Sequence, residues 1–206
     1  MAGGTKRLPR AVREQQMLDA AVTVFADNGF RETSMDSIAA KAEISKPMLY
    51  LYYGSKDELF AACIDRESSK FMDAMAVGFN PALRQRDQAR TVIKEFLRFV
   101  DENQESWRVL YRVAVGTTTF ADLVATSRTR ITEMVAELIK RGTTVSSAQD
   151  IDFELTAVAL VGAGEAVADR ISEGDVDLET ATDLLVGITW RGLKGVGTHG
   201  DMKPAE

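Results

Sequence analysis

A chain of 206 residues with 45% apolar side chains is long enough for one large or two small globular domains, and its net charge of −6 argues at first against a nucleic-acid partner. One cysteine, Cys63, excludes an internal disulfide, and no secretory signal pattern opens the sequence. The longest charge-free apolar-rich run, Leu155 to Gly164, has ten residues, too few to span a bilayer, so the expectation is a cytoplasmic protein with no membrane insertion. The charge is unevenly placed, however. Residues 1–56 carry eight basic and six acidic groups, whereas residues 57–206 carry 17 and 25. A mildly basic head on an acidic body suits a nucleic-acid reader attached to something that is not one.

Apolar residues recur at helical spacing almost throughout, with no convincing strand pattern and no internal repeat, so the expected class is all-α with about nine helices. The first helix is expected over about Arg10–Asp27, with Met17, Ala20, Ala21, Val24 and Phe25 as its buried stripe and Asn28-Gly29 as its stop. Thr33 is expected to cap the second helix, with Asp36 as capping-box partner and Ile38, Ala39 and Ala42 inward. Ser45 caps the third, Pro47 fits its first turn and Gly54 ends it. Ser55-Lys56-Asp57-Glu58 then opens a fourth helix reaching about Val77. Beyond Asn80-Pro81, further helices are expected near Gln88–Asn103, Trp107–Val115, Phe120–Arg141, Ile151–Ser172 and Leu178–Lys194. The first eight residues and the tail after Gly195 read as mobile. Two short helices joined by a tight turn, followed by a break and a capped helix, are the grammar of a helix-turn-helix DNA reader.

Residues 17–59 resemble the N-terminal signature of TetR/AcrR-type transcriptional repressors. The matching positions include Ala20, Ala21, Phe25, Gly29, Phe30, Thr33, Ile38, Ala39, Ala42, Ser45, Leu49, Tyr50, Tyr52, Lys56 and Leu59. The later residues match in length and helicity, and Trp190-Arg191-Gly192-Leu193 is similar to the last helix of many members. Two positions depart from the pattern. Glu43 stands where the family usually has glycine in the turn between helices 2 and 3, and Tyr53 where it usually has phenylalanine. The resemblance implies a DNA-binding head over residues 1–55 and an effector-binding and dimerisation body over residues 56–206. It implies no cofactor and no metal.

Within the head, Ile38, Ala39, Ala42, Ile44 and Leu49 suit the brace that holds helix 3 at a fixed angle. Lys46, Pro47 and Tyr50 are expected to face base edges, since lysine can donate to guanine and a proline ring can touch a thymine methyl. Thr33, Ser45, Tyr52 and Lys56 are expected near phosphates. Thr33 and Ser45 equally suit capping alone, and the two tyrosines equally suit packing. Arg7 and Arg10 can add phosphate or minor-groove contacts, and a solvated arm reads as well.

In the body, Phe71, Met75, Phe96 and Phe99 are candidate lining for an effector cavity. Trp107, Tyr111, Phe120 and Met134 complete that set, and for any one of the eight, ordinary core is the competing reading. Ala157, Val161 and Gly164 on helix 8, with Leu184 and Ile188 on helix 9, are expected at the interface of a homodimer, as a four-helix bundle. The implied function is a ligand-responsive regulator, a repressor released from a palindromic operator in double-stranded DNA by a small apolar or aromatic effector. The only histidine is His199, in the tail, which excludes a His-based triad, an HExxH zinc site or a Glu-x-x-His di-iron site in the body, and no GxSxG or P-loop occurs. An enzyme is therefore not expected. The competing reading is a helical ligand- or partner-binding protein whose head no longer reads DNA, supported by Glu43 and the modest charge of the head.

Overall fold

The computed structural model describes residues 9–80, 82–117, 120–142 and 152–196. Among them nine α-helices form and no strand. They are α1 (Arg10–Glu32), α2 (Met35–Lys41), α3 (Lys46–Tyr52), α4 (Lys56–Val77), α5 (Gln85–Glu102), α6 (Gln104–Arg108), α7 (Ala121–Gly142), α8 (Phe153–Ser172) and α9 (Leu178–Val196). The expected all-α class and the expected helices are present, with ends shifted by a few residues. The Trp107–Val115 segment is the exception, because α6 runs directly into a π turn over Val109–Val113, closed by the Ala114 N–H on the Val109 carbonyl at 3.0 Å. The His199 tail and Arg7 lie outside the described residues.

Two compact units divide the chain. The first comprises residues 1–69 and 105–124 and holds α1 to α3, most of α4, α6 and the π turn. Its core is built from Met17, Leu18, Ala21 and Phe25 of α1, Ile38 of α2, Leu49 of α3, Leu59 and Phe60 of α4, and Val109, Leu110 and Phe120 from the returning segment. Phe60 meets Phe25 and Phe120 edge to face at centroid distances of 4.6 and 4.9 Å, and Phe30 sits 5.0 Å from Phe60. Full burial of each such ring contributes about 2–3 kcal/mol. The second unit comprises residues 70–104 and 125–206, in which α5 packs on α8 and α9 and these two pack on each other. Arg90 pairs with Asp183 and Glu179, and Lys94 with Glu179, tying α5 to α9.

Local chemistry sets the helix ends. Gly29, at φ 75°, breaks the helical path at the expected stop, and a further turn reaches Glu32. The expected cap of α2 is corrected: Ser34, not Thr33, is the N-cap. Ser34 Oγ accepts from the Ser37 N–H at 3.1 Å, and Ser37 Oγ accepts from the Ser34 N–H at 3.2 Å, so Ser37 rather than Asp36 completes the box. Thr33 is unavailable because its hydroxyl turns inward and donates to the carbonyl of Gly29 at 2.7 Å, a group orphaned by the glycine break. Ser45 does cap α3. The Tyr53 hydroxyl is buried without a hydrogen-bond partner, and desolvation pushes its pKa up to about 12.

The turn between α2 and α3 is a Schellman motif. The Ile44 N–H donates to Ala39 and the Glu43 N–H to Ala40, at 3.0 and 3.2 Å. The motif requires a left-handed residue after the C-cap, and Glu43 takes it at φ 53°. The same pattern closes α8, where Asp175 donates to Arg170 and Gly174 to Ile171, and there the left-handed position is a glycine at φ 77°. A Cβ in that region costs on the order of 1 kcal/mol. Glu43→Gly should therefore raise the thermal midpoint by a few degrees and leave the far-ultraviolet circular dichroism unchanged; a lowered midpoint would show that the glutamate side chain contributes more than its backbone costs.

Candidate nucleic-acid interface

The first unit holds α3 at an exposed edge by Leu49, with Tyr52 packed part-buried on the same core. Leu49 is fully buried against the core, whereas Lys46, Pro47, Met48, Tyr50 and Leu51 are exposed. Leu51 is 81% exposed, more than any other large apolar side chain among the described residues. Ser45 precedes this face, its hydroxyl accepting from the Met48 N–H at 3.4 Å. Lys46 is held by Asp36 of α2 at 2.8 Å, and that hydrogen bond raises the ammonium pKa above its ordinary value. Tyr52 is half-buried, and the Arg10 guanidinium lies 5.4 Å from its ring centroid, which brings the start of α1 to the end of α3. The Gln16 amide donates to the Ala42 carbonyl at 2.9 Å and fixes α1 against the end of α2.

Of the residues expected at phosphates and base edges, Ser45, Lys46, Pro47, Tyr50 and Tyr52 gather on and around α3. The other two do structural work. Thr33 is 3% exposed and its hydroxyl donates inward. The Lys56 ammonium donates to the carbonyls of Phe30, Thr33 and Arg31 at 2.7, 2.8 and 3.3 Å and lies 4.4 Å from the Phe30 ring centroid. Its three donors are spent on the carbonyls left by the Gly29 break. A signal for this was legible. A cation in the first turn of a helix opposes the dipole, so Lys56 needs a strong acceptor set elsewhere. Met48 and Leu51 belong to the exposed face without any polar signal in the sequence, while Arg10, expected to add phosphate or minor-groove contacts, lies at the start of α1 beside Tyr52.

The eight candidate effector residues fall into two groups. Phe71, Met75, Phe96, Phe99 and Met134 share one apolar cluster of the second unit, with Phe71 edge-on to Phe96 and Phe99 at 5.9 and 5.2 Å. Trp107, Tyr111 and Phe120 belong to the first unit, where Phe120 packs on Phe30 and Phe60 and Trp107 stacks on Tyr111 at 3.8 Å. Beside the first cluster, Gly164 gives Phe96 room, since a Cβ there would stand 3.3 Å from the ring. Glu165 pairs with Arg128 at 2.6 Å, and desolvation outweighs that partner and holds its carboxyl above the usual range. Ala157 and Gly164, two of the expected interface residues, are buried within their own unit, and Val161 packs on its cluster. Leu184 and Ile188 are about half exposed, as are Leu155 and Val158 of α8.

This arrangement, a short exposed helix braced by α1 and α2 in an all-helical chain, defines a helix-turn-helix DNA reader. Residues 17–63 match the model of bacterial regulatory proteins of the TetR family, and residues 85–192 match the tetracyclin repressor-like C-terminal domain. The chain belongs to the TetR family of ligand-responsive, DNA-binding transcriptional regulators, which are not enzymes. It is 29% identical over 201 residues to the HTH-type transcriptional activator FasR of Mycolicibacterium smegmatis, covering 95% of this chain and 90% of that one. It is 38% identical over 76 residues, 36% of this chain and 38% of the other, to the HTH-type transcriptional repressor SCO4008 of Streptomyces coelicolor. A crystal structure of a TetR-like transcriptional regulator from Rhodococcus sp. RHA1 is 58% identical and superposes with a TM-score of 0.82 over 92% of this chain and 100% of that chain. No described helix is long and apolar enough to cross a membrane.

Replacing Lys56 by methionine keeps the stem and removes the three hydrogen bonds, leaving buried or half-buried carbonyls unpaired. The melting temperature should fall, by about 1–3 kcal/mol of stability, while the salt dependence of DNA binding keeps its slope. A slope reduced by about one with unchanged melting would instead make Lys56 a phosphate ligand.

Proposed function

We propose that the chain is a cytoplasmic homodimer in which residues 1–55 read each half of a palindromic operator and residues 56–206 bind a small apolar or aromatic effector and pair the subunits. The observation that carries the DNA half of this reading is the outward face of α3, whose one fully buried residue is Leu49 and which is flanked by Lys46, Tyr50 and the Arg10–Tyr52 stack. Ser45, Lys46, Pro47, Tyr50 and Tyr52 touch the operator, while Thr33 and Lys56 hold the head in shape. The effector half rests on the cluster of Phe71, Met75, Phe96, Phe99 and Met134, whose mixture of aromatic rings and thioethers adapts to apolar ligands. Pairing of subunits rests on the exposed apolar residues Leu155 and Val158 of α8 and Leu184 and Ile188 of α9.

A two-fold dimer presents its recognition helices about 34–36 Å apart, one turn of DNA. An effector that prefers a different spacing weakens DNA binding by the factor by which DNA weakens effector binding. Release of the operator then relieves repression. An activator role is the second reading, favoured by the name of the relative that matches over 90% of its length. A promoter-reporter fusion with and without the chain separates the two by sign.

The test of DNA reading is fluorescence anisotropy on DNA upstream of the chain's own gene, with genomic-fragment selection as the wider search and unrelated DNA as control. Selective binding should weaken at least a hundredfold between 50 and 200 mM salt, and Tyr50→Ala should cost about tenfold at fixed salt. A folded dimer that prefers no fragment would mean a head that does not read DNA. For the subunit interface, Ile188→Glu places a charge in the proposed contact and should give monomers in sedimentation velocity; an unchanged dimer would put the interface elsewhere.

A further inference from the structure

The exposed face of α3 is chemically unusual for a base-reading surface. Leu49 is the buried anchor of the helix, so the direction opposite it points at whatever α3 faces. At 100° per residue, Pro47 and Leu51 each stand about 20° from that direction, on either side of it. They are four residues apart and lie one above the other on the helix. Met48 and Tyr50, 38% and 43% exposed, stand on the two flanks. The charged group, Lys46, lies nearer the buried side and is bound to Asp36. The most outward pair can therefore neither donate nor accept a side-chain hydrogen bond.

A leucine left 81% exposed gains free energy only when an apolar surface covers it. The floor of the major groove offers one such surface, the C5-methyl group of thymine. We infer that Pro47 and Leu51 recognise the C5-methyl groups of thymines in each half-site, so that the centre of the recognition helix reads its operator by apolar contact rather than by hydrogen bonding. Polar specificity is left to the flank that carries Tyr50, whose hydroxyl can reach bases at the edge of the contact. This inference rests on the proposed DNA reading of α3. It commits that face to duplex DNA, and the basic groups beside it, Lys46 and Arg10, favour a phosphate-lined partner over an apolar protein surface.

The experiment replaces each thymine of a selected operator duplex, one at a time, by deoxyuridine, which removes the methyl and keeps every hydrogen-bonding group. Anisotropy is measured for the full-length wild type and for Leu51→Ala, whose folding is checked by thermal melting; a side chain this exposed leaves the head's core intact. At one or two thymines per half-site the wild type should lose about three- to fivefold in affinity per methyl. At one of them Leu51→Ala should bind thymine and deoxyuridine equally, while the site met by Pro47 keeps its sensitivity. Tight, selective wild-type binding that ignores every deoxyuridine substitution would overturn the methyl reading and leave the DNA reader standing. Undiminished sensitivity in Leu51→Ala at all thymines would overturn the role of Leu51. Absence of selective binding to the unmodified operator would overturn the underlying DNA reading instead.

Discussion

The outward apolar face of the first unit, Pro47, Met48, Tyr50 and Leu51, is carried by a helix of seven residues, and a helix that short has no stability of its own in water. Its shape is borrowed from the burial of Leu49 beside Phe25, Ile38, Leu59 and Phe60. The Ser45 cap and the Schellman turn at Glu43 fix where the borrowed helix begins, and the Tyr53 N–H on the Leu49 carbonyl at 2.9 Å fixes where it ends. So small an anchorage also leaves Pro47, Met48, Tyr50 and Leu51 uncovered. The same economy that makes α3 dependent on the core makes its outward side available to a ligand.

Polar residues close to that helix are largely occupied in maintaining the geometry. The glycine break at the end of α1 exposes carbonyls inside a compact unit, and Thr33 and Lys56 answer them. Gln16 serves the end of α2 in the same way. Arg66 reaches Asp19 and Gln15 of α1 and the buried Glu67, whose other oxygen accepts from the Ser106 hydroxyl at 2.7 Å. The head is thus a set of short helices stitched by side chain to backbone bonds and one buried carboxylate network.

Much of this was legible in the sequence, because helix period, caps and the signature between residues 17 and 59 are local features. The stripe of α1, the Ser45 cap and the end of α4 at Val77 follow from neighbours within a few positions, and the turn residue Glu43 stood out by the resemblance, as a departure from the usual glycine. What escaped is decided by residues distant in sequence. Thr33 is a better cap than most by residue type, yet the orphaned carbonyl of Gly29 takes its hydroxyl and Ser34 takes the cap. Ala157 and Gly164 read as an interface stripe by their size; both are buried in the second unit, where the missing Cβ of Gly164 leaves room for Phe96, a contact set by a residue far away in sequence. The eight aromatic and methionine candidates read alike in the sequence, and only the return of residues 105–124 to the first unit assigns Trp107, Tyr111 and Phe120 to a different unit from the other five. No one-dimensional pattern carries that return. The π turn that reorients the segment is likewise invisible to a 3.6-residue period.

The discontinuity of the first unit has a consequence for how the chain comes into being. Val109, Leu110, Ala114 and Phe120 form one side of a core whose other side is complete by Ile64, and the 35 residues of 70–104 lie between them in sequence. On the ribosome the helix-turn-helix emerges before residues 105–124 and cannot complete this core until residue 120 has been made, when only the shorter of the second unit's two segments, residues 70–104, has been synthesised. The loop that must be closed is long, so its entropy grows only slowly with further length, and insertions within 70–104 are tolerated far better by the head's stability than their distance from it suggests. The order of synthesis thus ties completion of the head to the segment 105–124 rather than to the rest of the chain, and a nascent fragment ending before residue 105 lacks the side of the core that covers Phe25, Phe60 and Leu59.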